Sequence, residues 1–193
     1  MLENLKKYHI VLASNSPRRK ELLAGLDVDY EVRIVPGIDE SYPDTLSGEE
    51  IPQYISRKKA EAYERTMSRD ELVITADTIV WSEGQVLGKP HSEAEACRML
   101  GMLSGRTHEV ITGVTLMTAS EKRTFAVVSE VTFDNLSEEE IRYYVDRYRP
   151  MDKAGAYGIQ EWIGYVGVSS LRGSYFNVMG LPVQRLYKEL KTL

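Results

Sequence analysis

An α/β fold, a mixed twisted sheet flanked by helices, is the architecture this sequence predicts, and three observations carry it. Short apolar runs with the composition of buried strands alternate with helical runs that begin at recognisable caps. A tight turn at "SEGQ" folds one strand back on itself as a hairpin, which brings antiparallel pairing into the sheet. Two long β-rich runs, "THEVITGVTLMT" and "TFAVVSEVTF", follow in the middle of the chain.

In order, "YHIVLA" (Tyr8 to Ala13) reads as a buried strand. A helix follows at once, because Ser16 is a good N-cap, Pro17 suits the first helical position, and Leu22, Leu23 and Leu26 recur at helical spacing. "YEVRIVP" (Tyr30 to Pro36) is a second strand, and "GIDESYPDTLSGEE" a polar loop ending in a capping box, Ser47 with Glu50. The spacing predicts a helix over 49–67, then the hairpin "ELVITADTIVWSEGQVLGKP". Ser92 with Glu95 caps a helix that closes near Gly105, the two long strands are joined by "ASEKR", and Ser137 with Glu140 caps "LSEEEIRYYVDRY". "GIQEWIGYVGV" is read as a strand, and a short helix starts at Pro182.

A chain of 193 residues that is 42% hydrophobic suits one domain over 1–193, and no repeat or linker divides it. The formal charge of −5 argues against a broad surface for polyanions, so nucleic acid is not an expected partner. There is no apolar stretch long enough for a membrane span and no signal-peptide pattern in "MLENLKKYHI", so the expected location is the cytoplasm, with no membrane partner. Cys97 is the single cysteine and is read as a small apolar packing residue. His9, His91 and His108 lack metal-ligand spacing, and no nucleophile elbow, Walker A loop or dinucleotide fingerprint occurs.

The helix starting at Pro17 places Arg18, Arg19 and Lys20 in its first turn, where the helix dipole disfavours cations. Either an anion such as phosphate gathers there, as a strand, tight turn and helix N-terminus favour, or the three side chains splay into solvent. Asp77, in "VITADTIVW", puts a carboxylate inside a strongly apolar strand, which is costly unless it is paired, hydrogen-bonded or bound to a metal. A turn centred on Glu83-Gly84 sets Lys89 opposite Thr78, and a bulge at Gly84 or Gly88 would move it to the Asp77 face. Glu40, Lys59, Lys153 and Gln160 are weaker candidates taken one by one, and Lys58 and Lys59 read more naturally as solvated.

Taken together and in order, "LASNSPRRKELL", "IDES", "KKAEAY", "ADTIV", "LGKP", "LSGRTHEVITGV", "MDKAGAYGIQ" and "GSYFNVMGLP" resemble the Maf family of nucleoside triphosphate pyrophosphatases. The resemblance implies two lobes around a substrate cleft, in the manner of inosine triphosphatases. It also implies hydrolysis between the α and β phosphates, a divalent cation (Mg²⁺ or Mn²⁺), nucleotide-pool housekeeping and a homodimer. Arg18, Thr78 and Gln160 are similar to the residues of the subclass acting on dTTP and UTP, whereas a 7-methyl-GTP subclass carries Trp, Gln and Glu there. Tyr148-Arg149 departs from the Gly-Glu that often precedes "DKAG", a change expected at the rim of the cleft.

The roles that fit are Ser14, Arg18, Arg19 and the helix N-terminus on the phosphates, with Lys59 and Lys89 adding charge as pyrophosphate leaves. Asp77 is the expected catalytic base, Glu40 the expected metal ligand with Asp77 itself as the second, base or ligand staying open for Asp77 at this point, and Gln160 with Thr78 the readers of a pyrimidine edge. A nucleotide-sensing binding protein acting in cell division is the alternative. It has no use for a base at Asp77.

Overall fold

The structure is a computed structural model, and residues 2–193 are described. Among the described residues the strands form a mixed seven-stranded sheet in the order β2 (Glu31–Val32), β1 (His9–Leu12), β3 (Glu71–Ser82), β5 (Thr107–Met117), β6 (Lys122–Phe133) and β7 (Val168–Arg172), with β4 (Gln85–Leu87) beside β3. The chain divides into two compact units, 2–77 with 112–127 and 180–193, and 78–111 with 128–179. The long strands β3 (Glu71–Ser82), β5 (Thr107–Met117) and β6 (Lys122–Phe133) contribute residues to both.

In the first unit, β1 (His9–Leu12) pairs in parallel with β2 (Glu31–Val32) and with β3, His9 opposite Glu71 and Leu12 opposite Ile74. Ser16 caps α1 (Pro17–Ala24) by accepting the Arg19 N–H. The expected strand over 30–36 shrinks to Glu31 and Val32, both exposed. Past them the chain is held by side chains instead: the Tyr63 hydroxyl donates to the Arg33 carbonyl at 2.6 Å and accepts the Val35 N–H at 3.1 Å, while Arg33 pairs with Glu71. The expected helix over 49–67 is also shorter, α2 (Glu50–Glu61). Only half of its capping box forms. The Glu50 carboxylate takes the Ser47 N–H, but the Glu50 N–H goes to the Ser47 carbonyl, because Gly48 turns the chain through a positive φ. Beyond Glu61 the chain continues as turns around buried Tyr63, which packs with Val11, Ala60, Val73 and Met117. The last helix, α7 (Val183–Leu190), begins after Pro182 as expected.

In the second unit, β3 turns at Glu83 and Gly84, both at positive φ, as a two-residue hairpin needs, into β4 (Gln85–Leu87). Val80 faces Leu87 and Ser82 faces Gln85, the register expected for that turn, and Lys89 lies exposed two residues beyond β4. Ser92 caps α3 (Glu93–Leu103), although Glu95 reaches back to the His91 N–H and not to Ser92. Cys97 on this helix is half-buried against the core. The box at Ser137 and Glu140 is complete at the start of α4 (Glu138–Tyr148).

One element was expected to be a strand and is not. "GIQEWIGYVGV" forms a short helix, α5 (Trp162–Gly167), and extended chain begins only with β7 (Val168–Arg172). Turns from Glu161 N–H to the Gly158 carbonyl and from Gly164 N–H to the Glu161 carbonyl start it, and Ile163 and Gly167 form its buried side. An apolar run does not by itself distinguish a buried strand from a short helix. A further short helix, α6 (Tyr175–Met179), follows β7.

His108 lies in this unit's core, 2% exposed, its Nε2 2.7 Å from the Tyr157 hydroxyl and its ring edge-on to Phe133 and Tyr157. Burial lowers its pKa to about 4. The unfolded chain therefore takes up a proton near the ordinary histidine pKa that the folded chain refuses until about pH 4, so stability falls as pH drops through that window. Between pH 7 and 4.5 this group alone is expected to remove about 2–3 kcal/mol. Urea unfolding at both pH values should give His108→Gln a smaller drop than wild type by that amount; equal drops would exclude His108 as the source.

Candidate functional site

Asp77 is 8% exposed, so its charge requires a partner, and Lys59 of α2 supplies one: Nζ lies 2.8 Å from Oδ1. The same ammonium stands 3.2 Å from Glu40 Oε1. Glu40, Lys59 and Asp77, far apart in sequence, thus converge on one point.

Helix α2 carries Lys59 there because it is pinned to the sheet. The Thr75 hydroxyl donates to the Ser56 carbonyl at 2.6 Å, and Ser56 Oγ lies 3.0 Å from Thr115 Oγ1. Lys58, read from sequence as solvated, is bound as well, since its Nζ reaches Asp39 Oδ2 at 2.8 Å and the Ser41 carbonyl at 3.3 Å, on either side of Glu40. This ammonium and the Ser41 side chain and N–H hold the Asp39 carboxyl well below its usual range.

Arg19, expected on phosphate, spends two of its guanidinium N–H groups on the protein itself. Its Nε donates to the Gly180 carbonyl at 2.8 Å and one terminal nitrogen to the Ala76 carbonyl at 2.9 Å, next to Asp77. Burial lowers its pKa, against the opposing fields of Asp77 and Glu40 and with that of Arg18. Buried carbonyls require donors, and a guanidinium supplies two at fixed geometry. Ser14 is buried in the turn between β1 and α1, its Oγ accepting the Ser16 N–H at 3.2 Å. Arg18 is half-buried on the first turn of α1.

In the second unit, Thr78 follows Asp77 along β3 and is half-buried. Gln160 presents a buried side-chain oxygen, Oε1, that has no hydrogen-bond partner. A buried amide oxygen without a donor is uncommon and costs about 1–3 kcal/mol, so it marks a place where a ligand donor would be gained. Lys153 is buried with Nζ 2.8 Å from Asp152 and 3.2 Å from Glu161. Glu139 and Asp146 lie exposed on α4, whereas Glu140 is half-buried and closes the capping box with Ser137.

The sequence did not single out Glu161, which follows Gln160 in the chain, or Tyr144, which is joined to Glu161 by a hydrogen bond. The signal available was Tyr144 at helical spacing with Ile141 and Val145, on the buried side of α4. Among the described residues, no three His, Cys, Asp or Glu side chains group as a metal site.

The family profile described as "Maf-like protein" matches residues 9–193. A protein of Phocaeicola vulgatus named dTTP/UTP pyrophosphatase is 67% identical over 193 residues, covering 100% of both chains. One of the same name from Bacteroides thetaiotaomicron is 64% identical over 193 residues, again covering 100% of both. Among solved structures, a HAM1 protein from Coxiella burnetii aligns with a TM-score of 0.51 at 18% identity, over 96% of this chain and 100% of that one. At that identity the likeness is one of fold.

Proposed function

This chain belongs to the Maf family, and from that premise we propose that it hydrolyses dTTP and UTP to the nucleoside monophosphate and pyrophosphate, as a single Maf-like domain over 1–193. The observation that carries the reading is the buried carboxylate of Asp77 held 2.8 Å from Lys59 and flanked by Glu40. A protein that only sensed nucleotides would gain nothing from a buried charge pair beside the substrate, whereas hydrolysis needs a base and neutralised phosphates.

Asp77 takes the proton of the attacking water at its carboxylate, a step that general bases accelerate by about 10²–10⁴. Arg18, Ser14 and the α1 N-terminus take phosphate oxygens. Arg19 serves by fixing the Ala76 carbonyl, and so the strand that carries Asp77. Lys59 and the exposed Lys89 offset charge on the departing pyrophosphate.

The donor set fits a hard divalent cation, because Glu40 and Asp77 already bring carboxylate oxygens to one cation, the Lys59 ammonium. Glu40 and Asp77 would hold Mg²⁺ or Mn²⁺, ions that take one or two protein carboxylates together with substrate phosphates. When bound there, the ion would supply charge stabilisation to the phosphate oxygens. The absence of any helix long and apolar enough to cross a membrane, among the described residues, is compatible with work on the cytoplasmic nucleotide pool.

Base selectivity is assigned to Gln160 and Thr78. Gln160 offers a donor and an acceptor, and its Oε1 has no protein partner, so an N–H of uracil or thymine satisfies it. The test is pyrophosphate release from each nucleoside triphosphate. UTP and dTTP should exceed ATP, GTP and 7-methyl-GTP in kcat/KM, and Gln160→Glu, which keeps an acceptor but loses the amide donor to a pyrimidine carbonyl and sets a negative charge against it, should lower kcat/KM for UTP by roughly 5- to 150-fold. An unchanged ratio of UTP to 7-methyl-GTP hydrolysis in the mutant would remove Gln160 from base recognition.

A further inference from the structure

Gln160 belongs to a five-residue segment, 157–161, in which each of the other members is committed to the protein. The Tyr157 hydroxyl meets His108, and Ile159 is buried in the core. Gly158 donates its N–H to the Tyr144 hydroxyl at 3.0 Å, and the space beside it is tight, since a Cβ would stand 3.0 Å from both Glu161 Cδ and Lys153 Cε. Glu161 uses both oxygens, Oε2 accepting from the Tyr144 hydroxyl and Oε1 standing 3.2 Å from the Lys153 ammonium. The Tyr144 hydroxyl is therefore a hub, accepting from Gly158 and donating to Glu161, on a side chain that is 0% exposed.

The remaining member, Gln160, has the buried oxygen without a partner. A turn held at 158 and 161 fixes where the Gln160 Cα and Cβ stand, and so the place from which its amide can reach a ligand.

We propose that Tyr144 and Glu161 are positioning residues for base selection, holding the 158–161 turn so that Gln160 meets the pyrimidine edge from a preset position. Neither touches the nucleotide. The proposal rests on the assignment of Gln160 as a base-reading residue and adds to it the machinery that makes the reading selective. Preorganisation of this kind shows in substrate binding and discrimination, not in the chemical step. Burial and the Glu161 carboxylate raise the Tyr144 pKa, which keeps its hydroxyl protonated and able to donate. The ring also stacks on Tyr148, with centroids 5.1 Å apart, so Tyr144→Phe deletes the hydroxyl and keeps the packing.

The experiment compares Tyr144→Phe, Glu161→Ala and Glu161→Gln with wild type in KM, kcat, thermal midpoint and the UTP to GTP ratio of kcat/KM. Tyr144→Phe and Glu161→Ala are expected to raise KM for UTP and to lower the ratio about 10-fold, the equivalent of one buried hydrogen bond, with kcat within about twofold. Glu161→Gln can still accept from Tyr144 and should restore most of the loss. A lowered thermal midpoint with KM and ratio unmoved in both Tyr144→Phe and Glu161→Ala would overturn the proposal. Should Tyr144→Phe fail to fold, the Glu161 pair decides alone by the same ratio. Gln160→Glu separates the two levels: if it shifts the ratio and the other variants do not, positioning is wrong and base reading stands; if it also leaves the ratio unmoved, both fall.

Discussion

Asp77→Asn is expected to lower kcat by about 10²–10⁴ while leaving nucleotide affinity within a few-fold of wild type. The substitution keeps the shape and removes the charge. Its amide oxygen can still accept a hydrogen bond from Lys59, and Glu40 remains as a counter-charge 3.2 Å from the same ammonium, so the buried lysine is not abandoned. The carboxamide is not a base at neutral pH, and the step assigned to Asp77 is lost. Calorimetric binding of a non-hydrolysable UTP analogue, alongside single-turnover rates, separates the two quantities. A mutant turning over at a near-normal rate would end the assignment of Asp77 as the base.

The second large effect is structural and reaches the site through α2. At Gly113 on β5, an added Cβ would stand 2.3 Å from the backbone carbon and oxygen of Pro52 and 2.5 Å from the Gln53 nitrogen. All are backbone atoms of the first turns of α2, so no side-chain rotation relieves the clash and the helix itself must move. Gly113→Ala is expected to cost about 3 kcal/mol, the upper end for overpacking, which for a chain of this length is a fall in thermal midpoint of roughly 6–12 °C. Because α2 carries Lys59, kcat should fall with it. Gly101→Ala on α3, where an added Cβ meets nothing within 4 Å, is the control and should be neutral or stabilising by up to about 1 kcal/mol. An unchanged midpoint for Gly113→Ala would mean that the helix does not lie as closely on β5 as described.

How legible each part was in the sequence follows from how local its cause is. The cap at Ser16, the box at Ser137 and Glu140 and the two-residue turn at Glu83-Gly84 are decided within four residues, and all three stand in the structure as read. The mixed sheet and the family were legible too, since each rests on many short signals in order. Where a segment's fate depends on what lies against it, sequence reading fell short. "GIQEWIGYVGV" became a helix, and the strand at Tyr30 to Pro36 kept only Glu31 and Val32.

The same distinction runs through the candidate site. A carboxylate in an apolar strand announced that Asp77 needs a partner, and the sequence by itself determined that much. Which cation answers it was decided by tertiary structure, because Lys59 reaches Asp77 only when a hydroxyl of β3 and a bare Gly113 on β5 hold α2 against the sheet. Arg19 shows how space adds partners: its charge at a helix start pointed to an anion, and two of its N–H groups also find the Gly180 and Ala76 carbonyls, which no local pattern announced. Residue chemistry sets what a side chain can do, and only its neighbours in space, absent from any local window of sequence, select which of those things it does.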